Sequence, residues 1–435
     1  MLSIVKRKFM SITEILHRRI FGHEMSDEMS KFLGNLSWSF AGGVVAGVIL
    51  LLINIIAGRW LGPEEYGKYN LILALSLFFI IPMTLGLDVS APRFIALLKK
   101  RDEKNTLAKF ILKRVFFTSV IFFLAFFLLF IFLRNNGFFD FEIVIFALCF
   151  AIFLSARNIF DGILRGRGLF QLQMKLRLLE SFIIMISFVG LCLFFESSFK
   201  TYVLAIALGY LSFNIFSFVK SKIFITSMNI LQRQENVIKY GMYATVGAFA
   251  SFLFMGSDKI LVNSFFSKND LGLYSAYFTA SIIPISQLQT TIVNVFFPTV
   301  SQALNKEVVL KKINRLSFIF FVPIILFVFS YSLVFITLFG NEYGKDLFLI
   351  LLFSIYATLF FFVGIKQWFL ASLSHTSIFL SSIAAIVSGT LQLFVSYFIL
   401  KIYGVIWMLL LGIIFTCIVF ICLNNLFISV ILKKK

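Results

Sequence analysis

The residues best placed to do chemistry in this sequence are charged side chains inside long apolar runs. Asp258 and Lys259 are neighbours within the apolar run 237–262. A charge at hydrocarbon depth is costly unless it faces a wet cavity or a partner of opposite charge, so both are candidate functional residues. Lys259 is the candidate for binding an anionic group in a cavity, with Asp258 holding a neighbouring helix. A structural ion pair is the alternative interpretation.

Other charged candidates stand near the ends of such runs. Arg59 could make a second contact to an anion, or it could snorkel back to the membrane surface. Asp88 and Arg93 end one run, at the mouth predicted to face the cytoplasm. Arg157 and Asp161 form an i, i+4 pair at the same mouth. These four could gate a cavity through ion pairs that form only when it is closed to the inside, whereas orientation in the membrane and helix capping are the alternative.

Two further charges and one polar helix face complete the candidates. Glu180 has few partners in its run, so it is a candidate for coupling transport to H+ or Na+. Lys366 is a comparable cation on the predicted cytoplasmic side. Asn35, Trp38 and Asn54 would give the first apolar helix a polar face turned toward a wet cavity.

The residue types needed for enzymatic chemistry do not come together. The 4 cysteines lie in apolar runs without a CxxC spacing, and the 3 histidines do not complete a zinc site or a catalytic triad. Residues 340–346 have the wrong spacing for a nucleotide-binding loop. We therefore expect no enzyme activity, cofactor or metal, and an energy source in an ion gradient, the substrate gradient or downstream consumption.

The elements that must position these residues are membrane-spanning helices. The chain is 60% hydrophobic and only 14% charged, and its apolar runs are about as long as a bilayer-spanning helix and apolar on every face, unlike barrel strands. Twelve spans are predicted, at residues 36–57, 69–90, 115–133, 141–160, 176–195, 201–219, 237–262, 272–297, 316–338, 346–368, 376–398 and 402–424.

The positive charges are distributed unevenly between the two faces that these spans create. Of the 39 Lys and Arg residues, 31 fall on the face shared by both termini, which predicts that both termini are cytoplasmic. The net charge of +19 is therefore explained by orientation, and no nucleic-acid partner is expected. Residues 1–30 read either as an amphipathic helix on the membrane lipids or as a basic arm.

Two internal matches indicate a duplicated architecture. Residues 65–69 align with 270–274, and 164–168 align with 370–374, each joining equivalent spans. The predicted fold is all-α and polytopic, with two six-helix bundles around a central cavity. The predicted units are a basic arm (1–30), the N-terminal bundle (31–219), a cytoplasmic linker (220–236), the C-terminal bundle (237–424) and a basic tail (425–435).

Several of these segments resemble a known family. GRWLGPEEYGKY at 58–69 and LGLD at 85–88 resemble the first half of polysaccharide biosynthesis exporters, and SDKILV at 257–262 with DLGLYS at 270–275 resembles the second. The resemblance is to Wzx-type O-antigen and capsule flippases of the multidrug/oligosaccharidyl-lipid/polysaccharide exporter superfamily. It implies a bacterial inner-membrane flippase, alternating access, and an undecaprenyl-diphosphate-linked oligosaccharide as cargo. Polysaccharide polymerase and chain-length machinery are the protein partners expected from it.

Two other functions stay open at this stage. A multidrug/cation antiporter of the same superfamily would be expected to have mainly acidic residues, not Lys or Arg, in the middle of the membrane. A membrane glycan polymerase or ligase would be expected to carry its catalytic residues on a large outer loop. The longest predicted outer loops, 58–68 and 262–271, are short.

Overall fold

The computed structural model describes residues 27–133, 140–221, 231–302, 306–373 and 375–433, and within them the chain is helical with no strand. The helices are α1 Asp27–Thr84, α2 Leu87–Ala96, α3 Arg101–Leu133, α4 Phe141–Gly166, α5 Phe170–Phe194, α6 Phe199–Ser221, α7 Leu231–Met255, α8 Ser257–Phe265, α9 Lys268–Gln302, α10 Lys306–Phe339, α11 Leu347–Ala371, α12 His375–Tyr403 and α13 Ile406–Lys433.

Each predicted span falls on these helices, and the second and seventh spans each cross a break into a short helix. Ten stretches of described helix are long and apolar enough to cross a membrane. The first, Val45–Thr84, is 40 residues long. At 1.5 Å per residue it extends for about 60 Å, which is enough for two crossings. The eighth predicted span lies in α9, which is not one of the ten.

The predicted outer loop 58–68 is shorter than expected, because two helical segments of α1 meet within it at a single kink. The kink is at Gly62, whose φ of 73° and ψ of 169° are accessible to glycine at little steric expense. Pro63 follows directly, and proline is well tolerated in the first turn of a new helical segment. The first two spans are therefore the two helical arms of α1, joined at the Gly62 kink.

Two predicted helices end earlier than expected and are followed by short helices. Leu85 and Gly86 have φ values of 49° and 65°, which separate α2 from α1. Asp88 and Arg93 therefore belong to α2 and do not end the second span. Gly256 likewise separates α7 from α8, so Asp258 stands in the first turn of a new helix. The last helix ends later than predicted, since α13 continues through most of the predicted tail to Lys433.

Burial of the helices repeats between the halves, as the sequence duplication predicts. The most apolar windows of α3 and α10, the third and ninth spans, are each only 17% buried. Those of α4 and α11, the fourth and tenth spans, are 56% and 61% buried. Helices α3 and α10 thus both lie at the lipid-facing edge of their bundle, and α4 and α11 both lie at its centre. The two halves meet mainly through α1, which packs most extensively against α9.

Candidate functional site

The two halves meet at the predicted outer end through glycines that occupy equivalent positions in the repeat. A Cβ atom on Gly67 would lie 2.9 Å from the backbone nitrogen of Gly272. A Cβ atom on Gly272 would lie 2.6 Å from the carbonyl carbon of Pro63. Real Cβ atoms do not approach other atoms so closely, so only glycine allows this approach of α1 to α9.

Side-chain hydrogen bonds close the same contact between the halves. Tyr343, in a 3-10 turn at Asn341–Tyr343, donates from Oη to the carbonyl oxygen of Gly58 over 2.7 Å. The hydroxyls of Tyr66 and Thr279 are 3.2 Å apart. Tyr66 is fully buried, so a lost partner here would leave a polar group unsatisfied. The predicted outer ends of the halves are therefore closed against each other.

Lys259 lies just beneath this closed contact. Its ammonium is 3.4 Å from Oδ1 of Asn70 on α1 and 4.5 Å from the ring centroid of Phe278 on α9. Asn70 is about one turn deeper than Gly67, and the side chain of Lys259 is only 6% exposed. The structure thus brings Lys259 to the interface between the halves, held by an amide and an aromatic face.

Asp258 does not pair with its neighbour. It accepts a 2.6 Å hydrogen bond from Oη of Tyr274 through Oδ2, and its Oδ1 has no hydrogen-bond partner in the described part of the chain. The separation follows from the helix, because adjacent side chains point about 100° apart. Asp258 therefore holds α8 to α9. No salt bridge joins it to Lys259, although its charge still acts on Lys259 from the adjacent position.

Arg157 pairs with Glu180, which corrects the predicted pair of Arg157 with Asp161. Nε and Nη2 of Arg157 are each 3.2 Å from a carboxylate oxygen of Glu180. Glu180 therefore has a partner that its sequence surroundings did not reveal. The guanidinium also lies 5.2 Å from the ring centroid of Phe213 on α6. This bidentate pair is inside the N-terminal half and links α4 to α5.

Asp161 is the centre of a second cluster in the same half. Its carboxylate accepts from Nε of Arg177 at 3.0 Å and from Nε2 of Gln173 at 2.8 Å, both on α5. Nε of Arg165 lies 3.2 Å from its other oxygen. Each of these contacts again joins α4 and α5 or stays within α4. A gate between the halves would need contacts that bridge them, which these pairs do not.

Of the four predicted gate residues, Arg93 is the one whose side-chain contact bridges the halves. Its guanidinium lies 4.5 Å from the ring centroid of Tyr240 on α7. A Cβ atom on Gly241 would be 2.7 Å from the carbonyl oxygen of Leu85, so the backbones also come close here. Asp88 is half-buried near the start of α2 and forms no salt bridge with a described residue. Arg93 thus marks a contact between the halves on the predicted cytoplasmic side.

Arg59 and Asn54, two further candidates on α1, are not brought to Lys259. Arg59 is exposed just before the kink, which agrees with the snorkelling alternative. Asn54 donates from Nδ2 to the carbonyl oxygen of Leu50 in its own helix, over 2.9 Å. Asn35 and Trp38 fall on the helical part of α1 whose side chains are outside the described structure. Their predicted role at a wet cavity stays a prediction.

A polar face on α9 was not predicted from the sequence. Gln287 is exposed, and a Cβ atom on Gly47 of α1 would lie 3.7 Å from its Cγ. Thr290, three residues on, is also exposed. Polar residues three or four apart within an apolar run are the signal that would have identified this face.

The described residues show no constellation for metal or disulfide chemistry. No group of three His, Cys, Asp or Glu side chains in the described ranges could hold a metal ion. The four cysteines are separate free thiols, with only Cys417 buried. Lys366 lies at a separate cavity within the C-terminal half.

Comparison with known proteins identifies both a family and a fold. The family described as polysaccharide biosynthesis protein matches residues 32–304. The inward-facing conformation of a multidrug resistance MATE family transporter of the MOP superfamily is 17% identical, with a TM-score of 0.65 over 91% of this chain and 99% of that one. An outward-facing conformation is 16% identical, with a TM-score of 0.59 over 92% and 97%. A comparison with curated protein sequences finds no significant match.

These relationships agree with the described architecture, in which two bundles of helices meet through α1 and α9. The family match covers more than half of the chain and includes the motifs on both sides of the repeat. The protein therefore belongs to the polysaccharide biosynthesis protein family, as a multi-pass membrane protein with the all-α fold of MATE transporters.

Proposed function

We propose that this protein is a flippase that carries an undecaprenyl-diphosphate-linked oligosaccharide, an O-antigen or capsule repeat unit, across the bacterial inner membrane by alternating access. Family membership supports a role in polysaccharide biosynthesis. Both termini face the cytoplasm in this proposal, and polymerase and chain-length machinery consume the repeat unit on the outer side.

The observation that carries the proposal is the position of Lys259. This ammonium is buried between the halves with an amide oxygen and an aromatic face as its neighbours, and no carboxylate of the described residues forms a salt bridge with it. The nearby charge of Asp258 offsets part of the desolvation of this cation, but a buried cation without a hydrogen-bonded anion remains costly in hydrocarbon. A diphosphate would supply charge-assisted hydrogen bonds, so a cargo with this head group is a suitable partner.

The closed outer contact supplies one conformational state for the proposed alternating access. The structure is more similar to the inward-facing conformation, at a TM-score of 0.65, than to the outward-facing one, at 0.59. Lys259 would then lie on the cytoplasmic side of the closed outer contact. Separation of Gly67 from Gly272 would expose Lys259 to the outside, and the polyprenyl tail would stay in lipid throughout.

A multidrug/cation antiporter is the second candidate, and Asp258 favours it. This carboxylate is 1% exposed and has one oxygen without a partner among the described residues, so it could take up H+ or Na+. The MATE structures with this fold include a multidrug resistance transporter. A polymerase or ligase is disfavoured, because the described outer connections, such as 266–267 and 404–405, are too short for a catalytic loop.

Complementation of a bacterial strain that lacks its own repeat-unit flippase tests the proposal. The wild-type protein should restore surface polysaccharide, whereas Lys259→Ala should not, at equal protein abundance. Lys401→Ala is the matched control, since Lys401 is an exposed lysine at the end of α12, and it should restore export fully. Dye efflux without polysaccharide export by the wild type would instead support the antiporter.

A further inference from the structure

A second buried cation lies inside the C-terminal half, away from the interface between the halves. Lys366 on α11 is only 5% exposed. Its ammonium donates 3.0 Å to Oδ1 of Asn425 on α13 and also donates to Oδ1 of Asn314 on α10. Three helices thus direct polar groups to one point.

The charge of Lys366 is not neutralised there. None of the salt bridges among described residues includes Lys366. An ammonium has three N–H donors, and the two amide oxygens accept from two of them. The third donor and the amide N–H groups of both asparagines are available to an anion at the same point. A cation at this depth without a carboxylate favours an anionic ligand.

A cavity of about 470 Å³ adjoins this point, a volume typical of small-molecule pockets. Each residue of the polar cluster has an apolar neighbour one turn deeper in the membrane that also lines the cavity, namely Asn314 with Phe318, Lys366 with Phe362 and Asn425 with Ile421. The cavity is therefore polar at its predicted cytoplasmic end and apolar toward the middle of the bilayer.

The cavity opens sideways to lipid. Phe318 and Val322 line it from α10 and are 86% and 59% exposed. They belong to one of the two helices with the least buried apolar windows, so this wall faces hydrocarbon. A ligand could therefore enter from the bilayer without passing through the interface between the halves.

We propose that this cavity is a binding site for one anionic phospholipid of the cytoplasmic leaflet. Its phosphate accepts hydrogen bonds from Lys366 and from the amides of Asn314 and Asn425. One of its acyl chains lies along Phe318 and Val322. The polar end of the cavity suits a lipid head group, and its apolar end suits an acyl chain. A free anion would need only the polar end. Exposed cations at the start of α10, including Lys312, add attraction toward an anionic leaflet.

Native mass spectrometry of the purified full-length protein, titrated with phosphatidylglycerol, tests this site. Wild type should bind one phosphatidylglycerol more tightly than any further lipid, and phosphatidylcholine should not replace it. Lys366→Gln removes the charge and leaves a polar side chain that is one atom shorter and still carries N–H donors. It should weaken the first binding event about tenfold, the usual scale of a lost hydrogen bond to a charged group.

Two further variants separate a built site from general surface attraction. Lys312→Gln removes an exposed charge from the same membrane side and should change the affinity by less than about twofold. Val322→Phe fills the apolar mouth without touching Lys366, and it should also weaken binding, so the test does not depend on how Lys366→Gln folds. Equal losses in Lys312→Gln and Lys366→Gln, unchanged binding in Val322→Phe, or full competition by inorganic phosphate would each overturn the proposal.

Discussion

Gly67 and Gly272, 205 residues apart in the sequence and equivalent in the internal repeat, pack against each other where the two halves meet. The EYGKY and DLGLY motifs therefore do more than mark a duplication. They bring the same backbone segment of each half to the contact between them, with Tyr66 and Thr279 hydrogen-bonded beside it. This contact divides the molecule into a closed predicted outer end and the region beneath it that contains Lys259.

Replacing Gly67 with leucine should force this contact open. Its side chain has no space against the backbone at Gly272, so the halves should shift toward the outward-open state. The measurement is labelling of Thr279→Cys by a membrane-impermeant thiol reagent, in a protein whose four native cysteines are replaced. Thr279 is 6% exposed, and labelling should rise about tenfold if the substitution shifts the equilibrium by about 1.4 kcal/mol.

Gly190→Leu is the matched control for this experiment. Gly190 is also a helical glycine in a membrane span, but a Cβ atom there meets nothing within 4 Å. Labelling of Thr279→Cys should therefore stay at the wild-type level. Equal labelling in Gly67→Leu and Gly190→Leu would show that the glycine contact does not control access.

The Arg157–Glu180 pair should contribute to the stability of the N-terminal half. Arg157→Met leaves a carboxylate that is 2% exposed without its cation, which should lower the free energy of unfolding by about 3–5 kcal/mol. Thermal denaturation in detergent measures the loss. Arg157→Met combined with Glu180→Leu should recover much of it, because no buried charge is then left unpaired.

An exposed ion pair in the same half provides the comparison. Lys200 and Glu142 are 2.5 Å apart, but their side chains are 52% and 53% exposed. Removing this pair should change stability by at most about 1 kcal/mol, since solvent screens it. If Arg157→Met were no more harmful than Lys200→Met, the buried pair would have no special structural role.

Tyr274 should stabilise Asp258 through its short hydrogen bond. Tyr274→Phe removes the donor to Oδ2 and should destabilise the protein by about 1–3 kcal/mol, the usual effect of leaving a buried acceptor unsatisfied. A double-mutant cycle with Asp258→Ala measures the interaction by thermal denaturation. In the Asp258→Ala background Tyr274→Phe should have a much smaller effect. Additive losses would mean that the two side chains act independently.

The sequence predicted the spans well because the length of a membrane-crossing helix follows directly from bilayer thickness. It did not predict the breaks at Gly86 and Gly256, since a glycine in an apolar run can serve helix packing as readily as a kink. Lys259 was identified as a candidate because an intramembrane cation is rare. Its neighbours Asn70 and Phe278 depend on how two helices cross, which a single sequence does not encode locally.

The difference between local sequence and tertiary contacts also explains the corrected ion pairs. An i, i+4 spacing within α4 suggested that Arg157 binds Asp161, but the stronger partners come from α5. For Lys366, the partners Asn314 and Asn425 are 52 and 59 residues away, on two other helices. Candidate residues could therefore be recognised from their chemistry, whereas the groups that they contact required the tertiary structure.

The most direct test of the account is translocation of a lipid-linked oligosaccharide by the purified protein. Proteoliposomes would hold an undecaprenyl-diphosphate-linked oligosaccharide in both leaflets, and an external glycosidase would report which molecules reach the outer face. The account predicts nearly complete digestion with wild type, and digestion that stops at the outer-leaflet fraction with Lys259→Ala or in protein-free vesicles. Digestion by wild type that also stops at that fraction, or equal digestion by Lys259→Ala, would contradict it.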